Sequence, residues 1–268
     1  CCMSFVNQVI LVLMLVSCQK SEEIKGVQIF GHAGMGLSVD HSIYHDNSAE
    51  AIAFALNLPT SNGVEVDVRM SKDGTLWLYH DEFLEAESTG MGCVSDKGDV
   101  EIEQLNYRTL KKEKLVKLKD VLPLLLPDQH LFLDLKHFNS CRNEHIDFEE
   151  LQVALVAQMG SNVTHISLIC AYEYWINDLS EIADVLYSTD DINEGKLLLK
   201  KYTDLKGLVV RNTYLNAADV KGIKDLNREI YLYDIRSLKG IKKALGKYPT
   251  GIFADDLRNA LTERGYAL

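Results

Sequence analysis

His32, Glu65, Asp67, His80, Asp134 and Lys136 have the types and spacings that acid–base and metal chemistry needs. Glu65 and Asp67 stand two apart in GVEVDVRM (63–70). In an extended strand, residues i and i+2 share a face, so these carboxylates lie side by side while Val64, Val66 and Val68 point the other way. Neighbouring carboxylates repel unless something positive sits between them. A divalent cation meets that need, and Asp134 would add a third oxygen. Carboxylates completed by water suit Mg²⁺ or Ca²⁺, which prefer oxygen ligands. Asp134 and Lys136 repeat the two-residue spacing in HLFLDLK (130–136), which would set an ammonium beside the cation, where it could help neutralise a phosphate. His32 and His80 fit as general base and general acid, because imidazole exchanges protons near neutral pH. Each feature also has a plain reading: a structural histidine, a surface ion pair, an internal Asp–Lys pair. The chemical reading gains weight because all six fall at one face of the expected fold.

That face follows from the elements. Short apolar runs alternate with amphipathic stretches from Val27 onward. Strands are expected at 27–32, 63–70, 75–80, 130–136, 165–171, 207–212, 229–235 and 251–256. Helices are expected at 48–56 with Ser48 as N-cap, 118–126 bent or ended by Pro123, 148–159, 190–202, 216–227, 237–248 and 257–265. Alternating β and α segments imply a parallel sheet with helices outside. The length after residue 26 suits an α/β (β/α)₈ TIM barrel, a single domain over 27–268 with a loop insertion (82–117) after the third strand. A doubly wound sheet is the rival fold. In a barrel the active face is built at the C-terminal ends of the strands, where the six residues fall.

Composition bounds the function. The chain has 47% hydrophobic and 25% charged residues, as a globular domain does. Its 28 Lys plus Arg against 39 Asp plus Glu leave a net charge of -11, which disfavours nucleic-acid binding and a polybasic grip on lipid. At the N-terminus, VILVLMLVS (9–17) is too short to span a bilayer and suits the apolar part of a signal peptide. Leu15-Val16-Ser17-Cys18 resembles a bacterial lipobox, in which Cys18 would be lipidated. Residues 1–18 then form the signal peptide and 19–26 a polar tether. This implies a lipid-anchored protein of the bacterial cell envelope, on the periplasmic or outer-surface side. Cys93, Cys141 and Cys170 contain no CxxC, so a zinc site is not expected; one disulfide is open, with free thiols the preferred reading.

Residues 29–81 resemble glycerophosphodiester phosphodiesterases. Gly31-His32-Ala33-Gly34 stands where that family has His-Arg-Gly, followed by Asn47-Ser48-Ala49-Glu50. GVEVDVRMSKDGTLWLYHDEFL (63–84) matches the second motif: the ExD pair, the Lys-Asp-Gly turn and a His-Asp. Thr89-Gly90, LKDVLPLLL (118–126) and GIFADD (251–256) continue the likeness more loosely. The resemblance implies His32 and His80 as the catalytic pair, a divalent cation on Glu65, Asp67 and Asp134, and Lys136 on phosphate. It also implies a route in which a substrate hydroxyl next to the phosphate attacks phosphorus before water completes hydrolysis. Two departures stand out. Ala33 replaces the family's Arg, whose planar fork grips phosphate. Asp134 stands where Glu is usual, as Asp does in related headgroup-cleaving phospholipases D.

The expected activity is metal-dependent hydrolysis of a glycerophosphodiester to an alcohol and glycerol 3-phosphate. Lysophospholipase-D or sphingomyelinase-D-like cleavage, a non-catalytic phosphate- or glycan-binding lipoprotein and a phosphatidylinositol-type phospholipase C are alternatives. Expected partners are a small phosphodiester or lysophospholipid, and a membrane through the lipid. Trp175, with Tyr172 and Tyr174, is a candidate substrate contact after the strand at 165–171. Glu173 is a weaker candidate at the metal. His41 and His45 are expected in a solvated loop, and Asp255 and Asp256 at the last strand end can cap the closing helix.

Overall fold

The computed structural model describes residues 23–36 and 43–265. Its strands are β1 (Gln28–Gly31), β2 (Gly63–Met70), β3 (Leu76–Leu78), β4 (Val116–Lys117), β5 (His130–Leu135), β6 (Phe138–Asn139), β7 (Glu144–His145), β8 (Ile166–Cys170), β9 (Asp184–Ser188), β10 (Gly207–Arg211), β11 (Glu229–Ile235) and β12 (Gly251–Ala254). Eight of them close in the parallel order β1-β2-β5-β8-β9-β10-β11-β12 and back to β1. The helices between them are α1 (Ala49–Leu56), α2 (Asp99–Ile102), α3 (Leu118–Val121), α4 (Phe148–Met159), α5 (Ile176–Ser180), α6 (Ile192–Lys201), α7 (Ala217–Lys224), α8 (Leu238–Leu245) and α9 (Leu257–Gly265). This is the (β/α)₈ TIM barrel.

Side-chain alternation on the strands builds two apolar layers. Phe30, Phe132, Ile169, Leu186, Val209, Tyr231 and Phe253 fill the barrel interior. Their neighbours, among them Val64, Val66, Val68, Leu131 and Leu133, pack outward in the larger cluster shared with the helices. Local signals start and stop the elements as expected. Ser48 accepts a hydrogen bond from the Ala51 amide and opens α1. Pro123 sits in the first turn of a 3₁₀ segment that ends the helix begun at Leu118.

One expected strand is corrected. The run 75–80 is not in the barrel; it forms β3, antiparallel to β2, with Val68 opposite Leu78. The reason is the Lys72-Asp73-Gly74 turn: Gly74, at φ 78°, donates its amide to the Ser71 carbonyl and reverses the chain. A tight reversal allows only antiparallel pairing, since parallel strands need a long crossover. The barrel's fifth strand is instead β9, where no element was expected. Its five residues, DVLYS, are too few to carry a period. The insertion therefore follows the second barrel strand. It is no bare loop: β4, α2 and two 3₁₀ turns enclose their own cluster of Trp77, Tyr79, Leu84, Val94, Ile102, Tyr107 and Leu115.

The preference for free thiols is also corrected. Cys93 of the insertion and Cys141, after β6, form a disulfide, while Cys170 is free and buried. The two cysteines are 48 residues apart, so only the docking of the insertion on the barrel rim makes them neighbours. Cys18, with the signal peptide and most of the tether, lies outside the described residues, as does His41. Among the described residues no helix is long and apolar enough to cross a membrane.

Candidate active site

The C-terminal ends of the barrel strands surround a cavity of about 270 Å³. All six residues singled out by spacing line it: His32 just after β1, Glu65 and Asp67 on β2, His80 after β3, Asp134 on β5 and Lys136 after it. Ser188, Arg211, Tyr233, Asp234 and Arg236, from β9 to β11, line it as well.

Glu65, Asp67 and Asp134 bring one carboxylate oxygen each within 4.8 Å of one another. Their backbones are in register, Asp67 directly opposite Asp134 across β2 and β5. Asn47, buried and at φ 56°, donates its side-chain amide to Asp67 Oδ2 at 2.7 Å and accepts the Asp67 amide at 2.9 Å. Lys136 Nζ bridges Asp67 Oδ1 at 2.7 Å and Asp134 Oδ2 at 2.6 Å. Among the described residues Glu65 receives only the Ala33 amide, at 3.0 Å, and the ring of His32, with Nε2 at 3.8 Å.

The charges follow. Burial and then the Asp67 charge push the Glu65 carboxyl up to about 8. Burial opposes ionisation of Asp67 too, but Lys136, His80 and the Asn47 amide outweigh it and hold the group well below the carboxylate range. Burial lowers Lys136, yet Asp134 and Asp67 raise it overall. The cluster thus has too few positive charges for its carboxylates. Three oxygen donors whose repulsion is relieved here by a proton on Glu65 are the donor set a hard divalent cation takes in that proton's place, so these residues fit one.

The histidines are held alike. Asp255 Oδ1 meets His32 Nδ1 at 2.9 Å and Asp81 Oδ1 meets His80 Nδ1 at 2.8 Å. A carboxylate on Nδ1 keeps a proton there and leaves Nε2 to exchange one with a substrate. Burial alone would lower His32, but the Asp255 hydrogen bond and the charges of Glu65, Asp255 and Asp67 raise it to about 9. Arg69, with Glu65 and Asp67 on β2, sits at the rim and donates to the His80 carbonyl at 2.9 Å. Ala33 is fully buried at φ 48°, in the left-handed region.

Other candidates are not brought to the cavity. Trp175 is buried outside the barrel against Phe148, with ring centroids 4.8 Å apart, and against Tyr172 and His137; the expectation of a substrate contact is corrected. Glu173 pairs with Lys201 at 2.6 Å, away from the carboxylates. His45 is not solvated but stacks on Tyr107 at 3.8 Å, beside Asp46 and Glu87. Asp256 does cap α9, whose Asn259 amide it accepts, while Asp255 serves His32. Asn47 carried a signal in the Asn-Ser helix start; the role of Asp255 and the residues of β10 and β11 carried none.

Fold and site together define a barrel hydrolase with an aspartate-held histidine pair beside a carboxylate cluster. The model of the Glycerophosphoryl diester phosphodiesterase family matches residues 32–263, and the chain belongs to that family. It is accordingly a glycerophosphodiester phosphodiesterase, a phosphoric diester hydrolase. Similar solved structures include an Oleispira antarctica phosphodiesterase in complex with the product sn-glycerol-3-phosphate, at 18% identity, covering 88% of this chain and 95% of that one with a TM-score of 0.73. A Parabacteroides distasonis glycerophosphodiester phosphodiesterase is similar at 19% identity, 90% and 97% coverage and TM-score 0.71. One from Thermotoga maritima is similar at 19%, 89% and 97%, and 0.67. At such identities the likeness is one of fold. No curated protein matches the chain.

Proposed function

We propose that the chain hydrolyses a glycerophosphodiester to an alcohol and glycerol 3-phosphate, with His32 and His80 as the acid–base pair. The observation that carries this reading is the pair of Asp-held histidines on the same cavity as Glu65, Asp67 and Asp134. Mg²⁺ or Ca²⁺ held by those three carboxylates would orient the phosphate and offset its charge. Lys136 adds a fixed positive charge and Asn47 holds Asp67 in place. One histidine takes the proton of the substrate hydroxyl beside the phosphate as that oxygen bonds to phosphorus. The other gives a proton to the departing alcohol oxygen as its bond to phosphorus breaks. In the second half the roles reverse: water loses a proton, adds to phosphorus, and the first oxygen leaves protonated.

A cavity of about 270 Å³ has room for a small deacylated diester. The test is alcohol release from glycerophosphodiesters and lysophospholipids with Mg²⁺, Ca²⁺ or EDTA. His32→Ala and His80→Ala should each lower metal-dependent release by roughly 10² to 10⁴ while circular dichroism stays unchanged. Full activity in both variants would overturn the reading.

Anchoring in a bacterial cell envelope through a lipid on Cys18 is part of the same proposal. The apolar run before LVSC supports it, and a disulfide suits an oxidising compartment. Cys18→Ala should move the protein from the membrane to the soluble fraction; unchanged sedimentation with membranes would refute the anchor.

A further inference from the structure

The wall of the cavity opposite the carboxylates is built by a break in β11. Pairing of β11 with β12 shifts register between Leu232 and Ile235, and Asp234 between them has φ 59°. Successive strand residues normally point to opposite faces, yet Tyr233 and Asp234 both line the cavity. A bulge re-aims side chains in this way, and an aspartate in left-handed backbone is held there only by the packing around it. The turned carboxylate organises a network. Asp234 Oδ2 takes Arg211 Nη1 at 2.7 Å and its Oδ1 takes Arg236 Nε at 2.8 Å. Arg211 Nε reaches Asp190 at 3.2 Å, and the Tyr233 hydroxyl donates to the same Asp190 at 2.9 Å. Tyr233 in turn lies edge-on to His32, with ring centroids 6.5 Å apart.

Three properties of this network bear on what it recognises. Two guanidiniums and two carboxylates sum to zero, so the wall attracts neither a second anion nor a cation at range. The Arg211 guanidinium is fixed by two carboxylates and lies over the rings of Tyr233 at 5.0 Å and Tyr214 at 5.8 Å. Aromatic faces that could box a quaternary ammonium are therefore already taken by a cation of the chain itself. What remains is a rigid set of N–H donors and carboxylate and hydroxyl oxygens, preorganised beside His32. Such a surface matches vicinal hydroxyls, which donate and accept without charge and can use the lone pairs and N–H groups that these internal pairs leave over.

We infer that Asp234, Arg211 and Tyr233 form a subsite for the departing alcohol and select a neutral polyol over choline or another cationic headgroup. The inference rests on the proposed diester hydrolysis and names its substrate class. The test compares kcat/KM for glycerophosphoglycerol and glycerophosphocholine in the wild type, Asp234→Asn, which keeps a side chain that tolerates left-handed backbone, and Tyr233→Phe. Calorimetric binding of the same two diesters in EDTA, which differ only in the departing alcohol, is measured on the same proteins. The wild type should prefer the glycerol compound in both assays. Each variant should reduce that preference by roughly tenfold or more, chiefly through KM. Equal wild-type use of the two diesters, or variants that depress both alike, would overturn the polyol subsite while leaving diester hydrolysis standing. Hydrolysis of neither diester, with selective binding of glycerophosphoglycerol that Asp234→Asn abolishes, would overturn the hydrolysis and support the subsite.

Discussion

Without metal, the protein should lose stability as pH rises from 5 to 8, and Glu65→Gln should remove most of that loss. Glu65 is 3% exposed and faces Asp67; burial and that charge raise its folded value to about 8. In the unfolded chain the same carboxyl titrates near about 4.3. A raised carboxyl contributes stability that is fully present below the unfolded value and is lost as pH climbs through the folded one. Three pH units at about 1.4 kcal/mol each make the loss roughly 4 kcal/mol between pH 5 and 8. Asp67 does not change this slope, because its folded value is depressed and it is ionised in both states across the window. His32, raised to about 9, works in the same direction, but only as pH passes its unfolded value near about 6.5. The assay is urea denaturation in EDTA at pH 5, 6, 7 and 8 for both proteins. Wild type should lose roughly 4 kcal/mol more than Glu65→Gln across the series, most distinctly between pH 5 and 6.5 where His32 is silent. Added Mg²⁺ or Ca²⁺ should flatten the wild-type profile and leave the variant unmoved, since the ion needs the charge the variant lacks. Identical pH slopes in EDTA would refute the reasoning: Glu65 would then not be held protonated by burial and its neighbour.

Ala33→Arg, the change that restores the family's motif residue, should destabilise the fold by roughly 2–4 kcal/mol and not raise turnover, because Ala33 is fully enclosed in left-handed backbone. A stable and more active variant, measured by urea denaturation and alcohol release, would show that the pocket accepts the arginine. Opening the disulfide by Cys93→Ser with Cys141→Ser should cost roughly 2–4 kcal/mol in urea denaturation, as expected for a link between residues 48 apart. An unchanged midpoint would mean that the link does not constrain the unfolded chain.

Much of this site could be read from order along the chain, because its signals are local. The two-residue spacing of Glu65 and Asp67 sets both on one face of β2 whatever the rest of the chain does, and the valines between them mark the helix-facing side. Ser48 as a cap, Gly74 as a turn and Pro123 as a stop depend on their own backbone chemistry and fell where expected. The alternation of runs pointed to a parallel barrel with a doubly wound sheet as its rival, although one of the eight strands it supplied lies outside the barrel. Strand membership was another matter: β3 and β9 are both too short to carry a period, and only the sheet shows that one pairs outside the barrel and the other inside. The partner of His32, Asp255, stands 223 positions away and meets it because β12 closes the barrel onto β1. Cys93 finds Cys141 only after the insertion docks. The network around Asp234 depends on a bulge that turns a side chain inward against the strand period. Residue type and short spacing thus determined which chemistry the chain carries. Closure of the barrel decided which groups hold those residues and what faces them across the cavity, because those contacts join strands whose separation in sequence carries no periodic signal.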